Sequence, residues 1–182
     1  IAISDVSGGL FCKDGLDIDA ISVFLETEGA LLKDYSAPGV SHISNEDVLT
    51  CDCDVLVPAA LENQITADNA EKLNCRYIVE AANGPTTEEA DAILEHRGIT
   101  LIPDIFANSG GVIVSYFEWV QNIQELTWDR DQVNEMLEKL MSKSFQSLLD
   151  AADECHCSYR MAAYIVALRK LVTAEKMKGI FP

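Results

Sequence analysis

Three short stretches of this chain combine residue types that can handle a ligand. Asn108-Ser109-Gly110-Gly111 follows a strand-like run, Thr100 to Phe106, and leads into a helix-like run containing Ser115-Tyr116-Phe117-Glu118-Trp119. Paired glycines at a strand-to-helix corner let a ligand approach the backbone, and first-turn N–H groups carry partial positive charge that suits an anion. One helical turn onward from Gly111, the Ser115 hydroxyl falls on the same corner and can donate to an oxygen. In Asn83-Gly84-Pro85 a fixed turn presents an amide with both donor and acceptor. Asp5 ends the first apolar run, just before Gly8-Gly9, and adds a carboxylate. Each has a plainer reading in isolation: an Asn-Gly turn, a strand-end acid, a serine bonded to its own helix backbone.

Other reactive side chains are less organised. His42, His96 and His156 stand in polar, loop-like contexts without a matching nucleophile or ligand cluster, and no residue is assigned to catalysis. Cys51-Asp52-Cys53 and Cys155-His156-Cys157 have one intervening residue, outside the usual spacing of structural zinc sites, so no metal is expected. With no secretory signal, the six cysteines read as reduced thiols and the cytoplasm is the expected compartment. No apolar run is long enough to span a bilayer, so no membrane partner is expected. Thirty acidic residues against 13 basic ones give a net charge of −17, which repels phosphate backbones and argues against nucleic acid.

These residues need elements to position them. Apolar runs bounded by turn residues alternate with amphipathic stretches, the pattern of a parallel sheet covered by helices. Candidate strands are Ile1 to Ser4, Val55 to Pro58, Tyr77 to Ala81 and Thr100 to Ile105. Candidate helices are Ile18 to Glu28, ending at Gly29; Asn45 to Leu49; Ala67 to Leu73; and one starting at Thr87 and stopping at Gly98. After Gly110 the pattern becomes wholly helical, with segments near Val112 to Ile123, Asp131 to Glu154 and Tyr159 to Lys178. Tyr116, Phe117 and Trp119 are expected to be core packing, and Glu118 a structural partner.

Three motifs in order carry a family resemblance. Residues 108–119, together with Pro58-Ala59-Ala60-Leu61-Glu62-Asn63-Gln64-Ile65-Thr66 and Glu80-Ala81-Ala82-Asn83-Gly84-Pro85-Thr86-Thr87, resemble the cofactor-domain signatures of glutamate dehydrogenases. The related leucine, phenylalanine and valine dehydrogenases resemble the block less well after Gly111. From Ile1 to Gly179 the chain is similar to the second half of such an enzyme. The implied fold is α/β, a Rossmann-like, mostly parallel sheet lacking its first βα unit, followed by a C-terminal helical extension. The expected division is an incomplete dinucleotide-binding domain over 1–124, with helices over 125–182 packing on it.

The resemblance implies roles residue by residue. Ala59 and Ala60 bring backbone close to the adenosine end of a nicotinamide cofactor; Asn83 bonds its nicotinamide ribose or carboxamide; Asn108 touches nicotinamide or substrate. Ser115 receives the distal carboxylate of glutamate, and Val112 lines that pocket. Asp5 lies where a dinucleotide fold sets an acid against the ribose hydroxyls, and its charge would repel a 2′-phosphate, favouring NAD over NADP. The implied reaction is reversible deamination of L-glutamate to 2-oxoglutarate and ammonia, in an enzyme that is a homo-oligomer, a hexamer in the full-length family. The catalytic lysine and aspartate of that family lie in its other domain.

The Gly-x-Gly-x-x-Gly turn that would precede Asp5 is not in the sequence, and Ile1 reads as the interior of a strand. The expectation is therefore part of a longer oxidoreductase, with this polypeptide alone binding NAD weakly or not at all. Two alternatives stand beside it: a leucine, phenylalanine or valine dehydrogenase, and a truncated, non-catalytic binding module.

Overall fold

A computed structural model describes residues 1–179. β1 (Ala2–Asp5) turns back into β2 (Gly8–Phe11), and β3 (Ser41–Ile43) pairs with β2, giving a sheet of order β1-β2-β3 in which both pairings are antiparallel. Gly8 and Gly9 thus belong to a hairpin, with Asp5 opposite Gly8. The cause is local. The Asp5 carboxylate accepts from the Ser7 N–H at 2.7 Å and the Ser7 hydroxyl at 2.6 Å, which closes the turn. Gly8 has a φ of 131°, readily adopted only without a Cβ.

β2 is crossed closely by α2 (Asn45–Thr50), whose start is fixed by reciprocal Ser44 and Asp47 side-chain bonds. α1 (Ile18–Leu25) is capped by Asp17 and stops short of the expected Glu28; its Ile21 is buried with Leu10 and Leu32. α3 (Ala67–Ala70) is shorter than expected, and α4 (Glu88–His96) starts from Thr87 as N-cap and ends before Gly98, as anticipated.

The second sheet is parallel, with β4 (Val55–Leu56), β5 (Tyr77–Val79) and β6 (Thr100–Ile102) in the order β4-β5-β6. This is the α/β pattern anticipated from sequence, built from shorter strands. The run expected to remain extended to Ile105 breaks at Pro103, which has no N–H to donate to a ladder, and Asp104 begins the short helix α5 (Asp104–Ala107). Three long helices follow close to their anticipated limits: α6 (Ser109–Gln124), α7 (Arg130–Cys155) and α8 (Tyr159–Lys178).

The chain forms two compact units. One holds residues 1–56, 65–77 and 86–99; the other holds 57–64, 78–85 and everything from Thr100 onward. The helical extension anticipated over 125–182 reaches residues 180–182, which lie outside the described residues. In the second unit, α7 and α8 bury Leu148, Ala151, Ala152, Ala162 and Ala163 against one another, with Phe106 and Val166 at the margin. Small alanines at the contact let the helix backbones approach. The tight turn between these helices uses His156 at a φ of 50° and Ser158 as the cap of α8.

A Cβ at Gly9 would run into the Val48 side chain and crowd that of Ile43. Gly9→Ala is therefore expected to cost about 1–3 kcal/mol by overpacking. Denaturant unfolding of Gly9→Ala and of Gly9→Ala/Val48→Ala checks this, the second change restoring part of the loss.

Candidate functional site

Within the second unit, backbone hydrogen bonds assemble the loops that carry the sequence motifs. The Pro58 carbonyl accepts from the N–H groups of Ala81 and Ala82 at 3.1 and 3.0 Å, and the Asn63 N–H donates to the Gly84 carbonyl at 2.9 Å. These bonds tie the Pro58-Ala59-Ala60 turn to the Ala81–Gly84 loop. Ala59 and Ala60 are both exposed, so this turn offers nearly bare backbone. Asn63 and Gly84 take φ values of 54° and 55°, conformations that asparagine and glycine tolerate best.

Asn83 and Asn108 meet directly. The Asn108 amide Nδ2 donates to Asn83 Oδ1 at 2.6 Å. That bond uses the Asn83 carbonyl oxygen and one Asn108 N–H, so the Asn83 amide keeps donors and the Asn108 amide keeps an acceptor.

The corner at 108–111 differs from the open loop expected. Asn108 joins α5 to α6, and Ser109, Gly110 and Gly111 already form the first turn of α6. Neither Gly110 nor Gly111 has a positive φ, so the backbone itself does not demand glycine there. A Cβ at Gly110 would come within 3.8 Å of Leu137 Cδ1, whereas one at Gly111 would meet nothing within 4 Å. Two glycines in a helical turn cost roughly 0.8–1.0 kcal/mol each relative to alanine.

Asn108, Val112, Ser115 and Trp119 recur at helical spacing along one face of α6. Val112 and Ser115 are exposed. The aromatic residues divide: Phe117 is buried at 3% exposure and meets Trp128 edge-on at 5.9 Å, but Tyr116 and Trp119 are 58% and 57% exposed. The expectation of core packing is corrected for those two, because the helix turns Tyr116 to the side of Phe117 and Trp119 to the opposite face.

Sequence reasoning passed over three further residues. Glu80, at the end of β5, is fully buried and takes both arms of the Arg160 guanidinium at 2.7 and 3.0 Å and the Asp104 N–H at 2.9 Å. Asp104 lies 3.6 Å from Arg160, and its carboxylate accepts from the N–H groups of Gly84 at 2.8 Å and Ile105 at 2.7 Å. A signal was present in the sequence. Each acid interrupts an otherwise apolar run, Tyr77 to Ala81 or Thr100 to Phe106, and Arg160 is the one cation between Ser158 and Leu168.

Asp5 belongs to the first unit. Besides Ser7, its carboxylate accepts from the Leu32 N–H at 2.9 Å. Burial pushes this carboxyl up, but the Leu32 and Ser7 bonds and the nearby Lys33 ammonium outweigh it, holding the group below its ordinary range. Three of roughly four acceptor positions on the carboxylate are thereby used inside the protein. Asp5 is structural whatever else it binds.

In the same unit, burial pushes the Cys53 thiol up to about 11, with Cys51 and Cys75 adding to the shift. Among the described residues no group of three or more His, Cys, Asp or Glu is arranged to hold a metal ion, and no helix is long and apolar enough to cross a membrane.

The family model for Glutamate/Leucine/Phenylalanine/Valine dehydrogenase matches residues 1–179. The chain belongs to this family. A cryptic catabolic NAD-specific glutamate dehydrogenase of Bacillus subtilis is 46% identical over 179 residues, covering 98% of this chain and 41% of the relative. An NADP-specific glutamate dehydrogenase of Halobacterium salinarum is 46% identical over 183 residues, covering 100% and 43%. Among solved structures, a hetero-hexameric glutamate dehydrogenase of Thermus thermophilus superposes with a TM-score of 0.88 at 30% identity, over 100% of this chain and 42% of that one. The chain thus spans about two fifths of the length of these dehydrogenases. The NAD-specific and the NADP-specific relative are equally similar to it.

Asp5 gives a pH test. Its folded-state pKa is lowered from 3.8, so the stability its bonds contribute is complete above that value and is lost as pH falls through the lower, folded one. Asp5→Asn removes that titration. Its unfolding midpoint in denaturant is expected to fall less than the parent's between about pH 6 and pH 3.

Proposed function

We propose that this chain is the cofactor-binding portion of an NAD(P)-dependent glutamate dehydrogenase that carries out the reversible oxidative deamination of L-glutamate to 2-oxoglutarate and ammonia. The observation that carries this reading is the joined pair Asn83 and Asn108 at the start of α6, beside the open space at Gly111. A nicotinamide carboxamide has one carbonyl and one amino group. The Asn83 N–H groups suit the former and the Asn108 oxygen the latter. The residues present therefore fit the cofactor, which supplies the hydride acceptor when bound.

The side chains of this chain act by holding and orienting. Asn83 and Asn108 fix the plane of the carboxamide, and Gly111 leaves a thin wall against the ring. Farther along the same helix face, the Ser115 hydroxyl donates to the distal carboxylate of glutamate while Val112 packs against its methylenes. Ala59 and Ala60 offer backbone to the adenosine end. Positioning of this kind is worth several orders of magnitude in hydride transfer, where donor and acceptor carbons must touch in alignment. No proton transfer is assigned to any residue here. NAD is the cofactor proposed, in preference to NADP. Assembly as a homo-hexamer and action in the cytoplasm belong to the same proposal.

Two substitutions in the complete protein test it. Gly111→Ala is expected to leave the unfolding midpoint unchanged or raise it, since alanine favours the helix by about 1 kcal/mol. Cofactor affinity should fall in the same variant; unaltered affinity would remove Gly111 from the site. Ser115→Ala is expected to lower kcat/KM for glutamate by about 10- to 100-fold while leaving norvaline, which lacks the distal carboxylate, nearly untouched. Equal losses for both substrates would remove Ser115 from the distal-carboxylate site and, with it, the argument for glutamate over the other amino acids of the family.

A further inference from the structure

The two asparagines are held by something other than each other. Asn83 precedes Gly84, whose N–H is bound by the Asp104 carboxylate at 2.8 Å. Asn108 is one helical turn beyond Asp104, and its own N–H donates to the Asp104 carbonyl at 3.1 Å. A single residue therefore grips both sides of the pair, through its side chain on one and its backbone on the other. Asp104 is fixed in turn. Its N–H is bonded to Glu80 at 2.9 Å, and its carboxylate lies 3.6 Å from the Arg160 guanidinium, which is bidentate to Glu80.

We infer that Arg160 is a positioning residue for cofactor binding, setting the distance and orientation of Asn83 and Asn108 through Glu80 and Asp104. This rests on the assignment of the asparagine pair to the cofactor. Glu80 has no exposure to water, and the side chains of Asp104 and Arg160 retain 20% and 22% of theirs. Two carboxylates this sheltered repel each other unless a cation sits between them, and a planar guanidinium can bind one with both arms while facing the other. Lysine carries the same charge as a single point and cannot satisfy both acids in that geometry. With lysine at 160, Asp104 turns away from Gly84, and the loop bearing Asn83 loses its register with α6.

The test is a double-mutant cycle in the complete protein, reading affinity for NAD or NADP, whichever the parent binds more tightly. The four forms are parent, Asn83→Ala, Arg160→Lys and the double variant. Each single change is expected to weaken binding about tenfold, since small misplacement of an orienting group is costly. The double variant is expected to match Asn83→Ala within about twofold, because the loop that Arg160→Lys displaces then carries no amide to misplace. Thermal midpoints read alongside report the stability effect of Arg160→Lys, which is expected to be the same in both backgrounds.

Multiplicative loss in the double variant would overturn the inference and make Arg160 a general support of the fold. Unchanged affinity in Asn83→Ala alone would remove the pair from the cofactor site, and the inference with it. If Arg160→Lys does not fold, Asp104→Asn takes its place in the cycle. The amide keeps the shape of Asp104 but can accept from only one of the Gly84 and Ile105 N–H groups, and the same outcomes apply.

Discussion

A carboxylate sealed from water at the end of β5 sets the terms for the second unit. Glu80 is buried where an unpaired charge would cost several kcal/mol, so its bonds to Arg160 and to the Asp104 N–H are a requirement of the fold. Meeting that requirement brings the end of one strand, the start of α5 and the first turn of α8 to a common point. The loops bearing the motif residues depart from there. An apolar replacement of the whole cluster could hold the elements together equally well, but it would have no directional bond with which to place the Gly84 N–H.

The anticipated elements and the family were readable because their signals are local and repeated. The limits of α7 and α8 follow from apolar spacing and from caps such as Asp129 and Ser158, and the parallel strands of the second sheet follow from short Val, Ile and Leu runs. The hairpin at Asp5 was not anticipated, because an acid followed by glycines is compatible with a ribose-binding corner and a tight reversal alike. What decided between them was the Ser7 and Leu32 bonding, and the second partner is distant in sequence. β3 escaped notice because three residues, Ser41-His42-Ile43, carry no period; they are extended only because β2 is there to pair with. The asparagine pair was named residue by residue, but its direct contact was not foreseen, since it depends on Asp104 holding two segments at once.

The glycines of α6 show where stability and ligand access pull apart. Neither Gly110 nor Gly111 is demanded by backbone conformation, and each weakens the first turn of a helix that opens beside the asparagine pair. A chain selected only for folding would carry alanine at 111, where the space is empty. Breaking a local preference without structural need is what the proposed cofactor contact at this turn would require.

Trp119 lies four residues beyond Ser115, on the same flank of α6, with its indole 57% exposed and 5.7 Å from the ring of Tyr116. The chain's other tryptophan, Trp128, is tucked against Phe117. The two indoles therefore sit in unlike surroundings, and the outer one is expected to emit farther to the red. Any molecule or polypeptide segment that settles over this flank dries the outer indole and moves its emission toward the blue, so the helix carries a built-in optical gauge of whether its working side is covered.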